Sequence, residues 1–254
     1  MATHMTEQPQ STGLTSSRRH RGLENVPRAL AVFVALLLAG IVLLVLVDRS
    51  SNISNTWNGQ AGTGSGVAAT QARSLPPFTV VTVASGDNVV VRVGAGQSVI
   101  VHADSNLLGR ITTQVSSGSL MIENTPGSLS PRSPTFVAVS VPSLDALTVQ
   151  GSGNISVTGI SSPSLTVRIA GSGTIHAAGT TARLDAAISG SGNVLLSPLI
   201  VRDATASING SGQIELTATH SLDASISGSG TILYTGNPAQ VTKSVSGSGT
   251  ISGG

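Results

Sequence analysis

The chain alternates between apolar and polar positions. In "LDASIS", residues 222–227, Leu222, Ala224 and Ile226 take every second position and polar residues fill the gaps. The same alternation leads into six Gly-Ser-Gly triplets. Their first glycines are Gly151, Gly171, Gly190, Gly210, Gly228 and Gly247, at steps of 20, 19, 20, 18 and 19 residues. Two positions before each stand Val149, Ile169, Ile188, Ile208, Ile226 and Val245. Four positions after each stand Ile155, Ile175, Val194, Ile214, Ile232 and Ile251. Period two on both sides of a triplet predicts two half-buried strands per repeat; helical spacing fits much worse.

A near-constant period of this length marks stacked coils, and the L-x-x-L-x-L frame of a leucine-rich repeat is missing. The predicted fold is all-β: a right-handed parallel β-helix with coils of about 19 residues, each strand pairing with its copies above and below at ~4.8 Å. The handedness follows the crossover preference of parallel strands. The triplets become corners. A sharp bend at positive φ is cheap only for glycine, and stacked corners leave little room for side chains. The corner glycines are then Gly151, Gly153, Gly171, Gly173, Gly190, Gly192, Gly210, Gly212, Gly228, Gly230, Gly247 and Gly249. The polar residue after each corner, Asn154, Thr174, Asn193, Gln213, Thr231 or Thr250, is expected to form an exposed ladder. Lys243 breaks the pattern in the last coil by standing where Leu147, Val167, Ala186, Ala206 and Ala224 are apolar or small. Terminal repeats are atypical, so Lys243 is read as part of a capping coil.

Upstream, "VVVRV" at 89–93, "VIVHA" at 99–103 and "SLMIE" at 119–123 alternate without a Gly-Ser-Gly. Residues 78–144 are expected to supply a less regular cap and first coils. Residues 145–254 supply the six regular coils.

The first 77 residues read differently. Ala29 to Val47 is nineteen residues without a charge, roughly 28 Å of helix against a ~30 Å hydrocarbon core. Arg18, Arg19, Arg21 and Arg28 precede it, which places residues 1–28 in the cytoplasm. A cleaved signal peptide would have a shorter apolar run and a small-residue cleavage site, absent from "VDRSSNIS". The expected organisation is a disordered cytoplasmic tail (1–28), a transmembrane helix (29–47), a Gly/Ser/Thr-rich linker (48–77) and an extracytoplasmic β-helix domain (78–254).

Charge and composition narrow the chemistry. The net charge of +2 lies in the first 47 residues; the rest carries nine basic and nine acidic residues. No basic stripe with aromatics is present, so nucleic acid is not an expected partner. With no cysteine, thiol catalysis, thiolate metal sites and disulfides are excluded. A phosphate loop needs a helix after its glycines, and here a strand follows. Calcium-binding rolls need an Asp-bearing nonapeptide, which is absent. No metal or cofactor is therefore expected. Asp185 and Asp203, in neighbouring coils with Arg183 and Arg202 nearby, are the pair that a glycan-cleaving enzyme would need. A surface salt-bridge cluster explains them as well. His102 and His176 read as outward strand residues and His220 as a turn residue; none has ligand spacing.

"VHADSNLLGRITTQVSSGSLMIENTPG", "VSVPSLDALTVQGSGNISVTG" and "LDASISGSGTILYTGNPAQVTKSVSGSGTIS" resemble the DUF2807 family, also called the "putative autotransporter adhesin head GIN domain". The resemblance covers about residues 78–254. It implies a bacterial, exported, β-helical protein, and it brings no catalytic residues. The expected function is a single-pass, membrane-anchored envelope protein acting without catalysis, in adhesion or surface scaffolding. Its partners would be a glycan or an envelope protein. The alternatives are a polysaccharide-binding or polysaccharide-cleaving β-helix, and a self-assembling surface protein that joins through its terminal coil.

Overall fold

The computed structural model describes residues 62–254. The tail, the apolar segment 29–47 and the linker as far as residue 61 lie outside the described residues. Among the described residues no helix is long and apolar enough to cross a membrane.

The described chain is almost entirely strand. In order these are β1 (Gly62–Thr63), β2 (Ala68–Arg73), β3 (Val80–Val83), β4 (Asn88–Val93) and β5 (Ser98–Asp104). A 3-10 turn (Leu108–Arg110) follows, then β6 (Ile111–Ser116), β7 (Ser119–Asn124), β8 (Leu129–Ser130), β9 (Phe136–Val141) and β10 (Ala146–Val149). The regular half holds β11 (Asn154–Gly171), β12 (Thr174–Gly190), β13 (Asn193–Gly210), β14 (Gln213–Gly228), β15 (Thr231–Thr235), β16 (Gln240–Gly247) and β17 (Thr250–Gly253).

The regular half is a parallel solenoid. β11 pairs β12, β12 pairs β13 and β13 pairs β14, all parallel, and β15, β16 and β17 complete the stack. The sequence predicts separate strands with a turn between them. In the structure β11 to β14 each run 16 to 18 residues from one triplet to the next, because pairing continues around the return corner. The register slips only near that return corner, between Val157 and Ile160, His176 and Gly179, and Leu196 and Asp203. The differences in repeat length are absorbed there. The strand entering each triplet stays in strict register from coil to coil.

Neighbouring coils come close together at the triplets. The backbone N–H of Ser211 donates to the Gly190 carbonyl at 2.9 Å, and that of Gln213 to the Gly192 carbonyl at 3.1 Å. The same pair of bonds repeats at every regular corner up to Ser248 and Thr250. Gly210 has φ near +132°, and a Cβ there would strike the Gly190 carbonyl. Gly212 does not have positive φ; a Cβ there would press on the Gly192 carbonyl and the Cγ2 of Ile188. The first glycine therefore answers a bend and a close approach together, and the second answers close approach alone. The serine between them is exposed.

The first half belongs to the same stack. β3 lies parallel beneath β10 and β4 beneath β11, so residues 80–93 form a coil under the first triplet. Its corner is Ala84-Ser85-Gly86-Asp87, and the Ser85 and Asp87 carbonyls lie where Cβ atoms on Gly151 and Gly153 would fall. Beneath that, β7 pairs β3 and β9 pairs β4, again parallel. Antiparallel strands close the end: β6 on β7, β5 on β9, and β2 on β5. Residues 62–77, read as linker from their polar composition, thus include β1 and β2. One buried cluster runs unbroken from Phe78 to Ile232, so both halves share a single core. Its side chains are mainly Val, Ile, Leu and Ala, which suit inward positions repeating every ~4.8 Å.

The closed end is locked by a buried charge. Asp104 is fully buried. It accepts from the backbone N–H of Gly66 (2.6 Å), Arg132 (2.8 Å) and Ser133 (3.2 Å) and from the Ser133 hydroxyl (3.0 Å). Burial pushes its carboxyl up; the four donors outweigh burial and hold it below the usual carboxylate range. Buried Arg110 ties the neighbouring loop through Thr125 and the Pro126 carbonyl.

Two outcomes follow from this packing. Gly210→Ala is expected to cost at least about 2 kcal/mol through backbone strain and overpacking. It would appear as a lower urea midpoint, while the exposed Ser211→Ala changes stability by less than about 0.5 kcal/mol. Equal effects would remove close stacking as the reason for the glycine. Asp104→Asn is expected to lower the melting temperature at pH 7. The native carboxyl titrates below its unfolded value, so its stabilisation is complete above about pH 4 and fades as pH falls through the lower native value. The gap between Asp104→Asn and the parent protein should therefore shrink below about pH 4, as followed by circular dichroism. A gap that is constant from pH 7 to pH 2 would contradict this role.

Candidate functional site

Two outward faces flank the row of corners. On the far side of the corner, Asn154, Thr174, Asn193, Gln213, Thr231 and Thr250 stand in one register column. Asn154 and Thr250 are exposed and the other four half-buried. Asn88 continues the column one coil lower and accepts from the Asn154 amide at 3.0 Å. The sequence reading missed Asn88 because its corner is written Ala-Ser-Gly-Asp. The next outward column on this face is mixed: Val90, Ser156, His176, Leu195, Glu215, Leu233 and Ser252. Val90 and Leu233 are exposed there.

The face before the corner is more uniform. Thr166, Asp185, Thr205, Asp223 and Thr242 form a column in which threonine and aspartate alternate. Beside it run Ser164, Arg183, Asp203, Ser221 and Gln240. Together they line an open groove of about 420 Å³ that crosses five coils. The signal was in the sequence, five and seven positions before each first glycine. Asp185, Asp203 and Arg183, expected from the sequence as a charged cluster, lie in this groove.

The strict register of the entering strands holds these side chains at fixed spacing. Asp203 accepts from the Ser221 hydroxyl at 2.7 Å and faces His220 Nδ1 at 2.6 Å, with Arg202 Nε at 3.7 Å. The Ser221 and His220 hydrogen bonds hold its carboxyl below the usual range, against a smaller opposing effect of burial. His220, expected in a turn, lies within β14, because the strand continues around the return corner. Asp185 is bonded to Arg168 at 2.5 Å. Arg183 and Asp223 are exposed, with no ion pair among the described residues.

This chemistry orders a surface. Asp203 faces Arg183 on the adjacent strand, so Asp185 and Asp203 are diagonal neighbours, with backbones about 7–8 Å apart. That is near enough for a carboxylate pair. A glycosidase acid, however, needs a raised pKa, and Asp203 is held ionised. Ser221 and His220 both bond to Asp203. Among the described residues no group of three His, Cys, Asp or Glu side chains could hold a metal ion. His102 is stacked on Phe136, with ring centroids 4.2 Å apart, and burial lowers its pKa. His176 is exposed on β12.

Comparison with solved structures finds the same fold elsewhere. The crystal structure of a protein from Bacteroides fragilis described as a "putative adhesin" superposes with TM-score 0.64 at 20% identity, covering 75% of this chain and 99% of that one. A "putative lipid binding protein" from Parabacteroides distasonis superposes with TM-score 0.52 at 26% identity, covering 77% of this chain and 99% of that one. No curated protein matches the chain. The family model described as "Putative auto-transporter adhesin, head GIN domain" matches residues 77–238. That span takes in β3 to β15 and the triplets from Gly151 to Gly230, and the chain belongs to this family.

Proposed function

We propose that this protein is a non-enzymatic adhesin of the bacterial cell envelope that binds extended, hydroxyl-rich ligands, such as glycans, along the face before the corners. The observation that carries this reading is the in-register column of alternating threonine and aspartate, flanked by Ser164, Arg183, Asp203, Ser221 and Gln240. Its hydroxyl, amide, carboxylate and guanidinium groups repeat every ~4.8 Å along the axis. A ligand with repeated hydroxyls can meet such a lattice with many individually weak bonds at once.

On this reading residues 29–47 anchor the chain in the membrane with residues 1–28 inside, and the domain projects outward. The solenoid winds right-handed, as the crossover preference favours. A relative named for lipid binding offers another ligand class. The polar make-up of this groove favours a sugar over an acyl chain. Polysaccharide cleavage is the less favoured reading, because Asp203 and Asp185 are already engaged.

The test is glycan binding by the full-length chain in detergent, measured on an array and then by calorimetry. Removing Arg183 and Asp223 together, as R183A/D223A, is expected to weaken binding at least ten-fold, since each loses a charge-assisted hydrogen bond of about 1.5–3 kcal/mol. Thr231→Ala, on the other face, should leave binding unchanged. Undiminished binding by R183A/D223A would place the ligand elsewhere. Turnover of a bound glycan that is lost on Asp203→Asn would replace the binding-only reading with an enzymatic one.

A further inference from the structure

Two buried aspartates lie near the closed end, and their surroundings differ. Asp104 is met by four donors. Asp87, in the corner between β3 and β4, is 8% exposed. Its Oδ2 accepts from the Ser85 hydroxyl at 2.7 Å. Its Oδ1 has no hydrogen bond or ion pair among the described residues, and that oxygen is not sealed inside the protein. A carboxylate taken out of water needs a donor or a cation.

The space in front of Asp87 follows from the route of the chain. β3 and β4 are joined by four residues, 84–87. One coil lower, β7 and β9 are joined by eleven, 125–135. No tight corner therefore stacks beneath Asp87, and the longer loop leaves the stack to pair β8 with β1. A cavity of about 430 Å³ opens between that loop and the corner, a size that suits a small molecule. Leu107, Ile111, Leu129 and Pro131 give it apolar walls, and Ser128 and Thr135 bring hydroxyl groups. Asp87 is the single charged residue in its lining, and no lining residue is shared with the groove.

The geometry points to a second binding site, in which Asp87 receives the ammonium group of a small organic amine and the apolar walls hold its carbon body. Each other ligand class fits less well. An anion is repelled by Asp87. A neutral alcohol or sugar leaves the carboxylate without a charge partner. A bare metal ion leaves the apolar walls unused, and among the described residues no group of three His, Cys, Asp or Glu could complete its shell. An alkylamine, such as a lysine side chain, and an amino sugar share the required group.

The experiment is calorimetry of the full-length chain in a neutral detergent. The probes are n-butylamine and glucosamine, set against butanol and glucose as their uncharged counterparts. At least one amine is expected to bind saturably, at least about ten-fold more tightly than its counterpart. Tighter binding of n-butylamine assigns the site to an alkylammonium, and tighter binding of glucosamine to an amino sugar. Asp87→Asn keeps the shape of the side chain and should weaken amine binding at least about ten-fold. Ser128→Lys, at an exposed position in the wall, brings a tethered ammonium to the cavity and should weaken it as well. It decides the matter if circular dichroism shows that Asp87→Asn does not fold. R183A/D223A, in the groove, should leave amine binding unchanged. A parent protein without saturable amine binding would overturn the inference. So would counterparts that bind equally well, amine binding that survives in the folded variants of Asp87 and Ser128, or binding that is lost in R183A/D223A.

Discussion

Neighbouring coils approach so closely at each triplet that a single added carbon would collide with the carbonyl beneath it. The rest of the solenoid depends on that spacing. Hydrogen bonds from Ser211 and Gln213 to the glycine carbonyls below tie the corner to its neighbour on both sides of the serine. The strand that enters the corner then has no freedom to slip, and a one-residue slip would turn every inward side chain outward. Freedom is confined to the return corner, where the register shifts and repeats of unequal length coexist. A rigid seam and a tolerant seam thus run side by side along the axis.

The proposed binding face lies beside the rigid seam. Its columns are regular because the corner fixes the register of the strands that carry them. Asp203 shows how such a surface is finished. Ser221 and His220, both brought in by the next coil, hold one carboxylate ionised and fixed in direction. The far face is built on the same backbone, yet it alternates short polar groups with Val90, Leu195 and Leu233. Backbone periodicity alone therefore does not set the chemistry of a face. The choice of outward residues on each side of the corner does.

The repeat was legible because glycine and alternation leave a direct trace: each corner needs its glycines in the chain, and each strand its inward residue every second place. The Thr/Asp column was equally legible in spacing. It carries no special residue type, so nothing in a single repeat marks it out. The coil formed by β3 and β4 was harder to see. Its corner has one glycine, and its neighbours in the stack come from residues 119–141 and 146–158, far along the chain. β2 was hidden for a different reason. An edge strand of Ala, Thr, Gln and Arg buries little, and such a composition cannot be told from a linker.

The coil of β3 and β4 has a bearing on how the protein reaches its fold. It is made early in the chain, yet both its neighbours arrive later: β7 and β9 below, β10 and β11 above. A solenoid of sequential coils can grow from its first turn outward. This one begins with a layer that stays bare on both faces until a further stretch of chain has looped down, closed the base and climbed past it. The closing of those loops precedes any reward from stacking. The long-range closures are thus gathered in the base, and each regular coil after it pairs with the coil just before it in the chain.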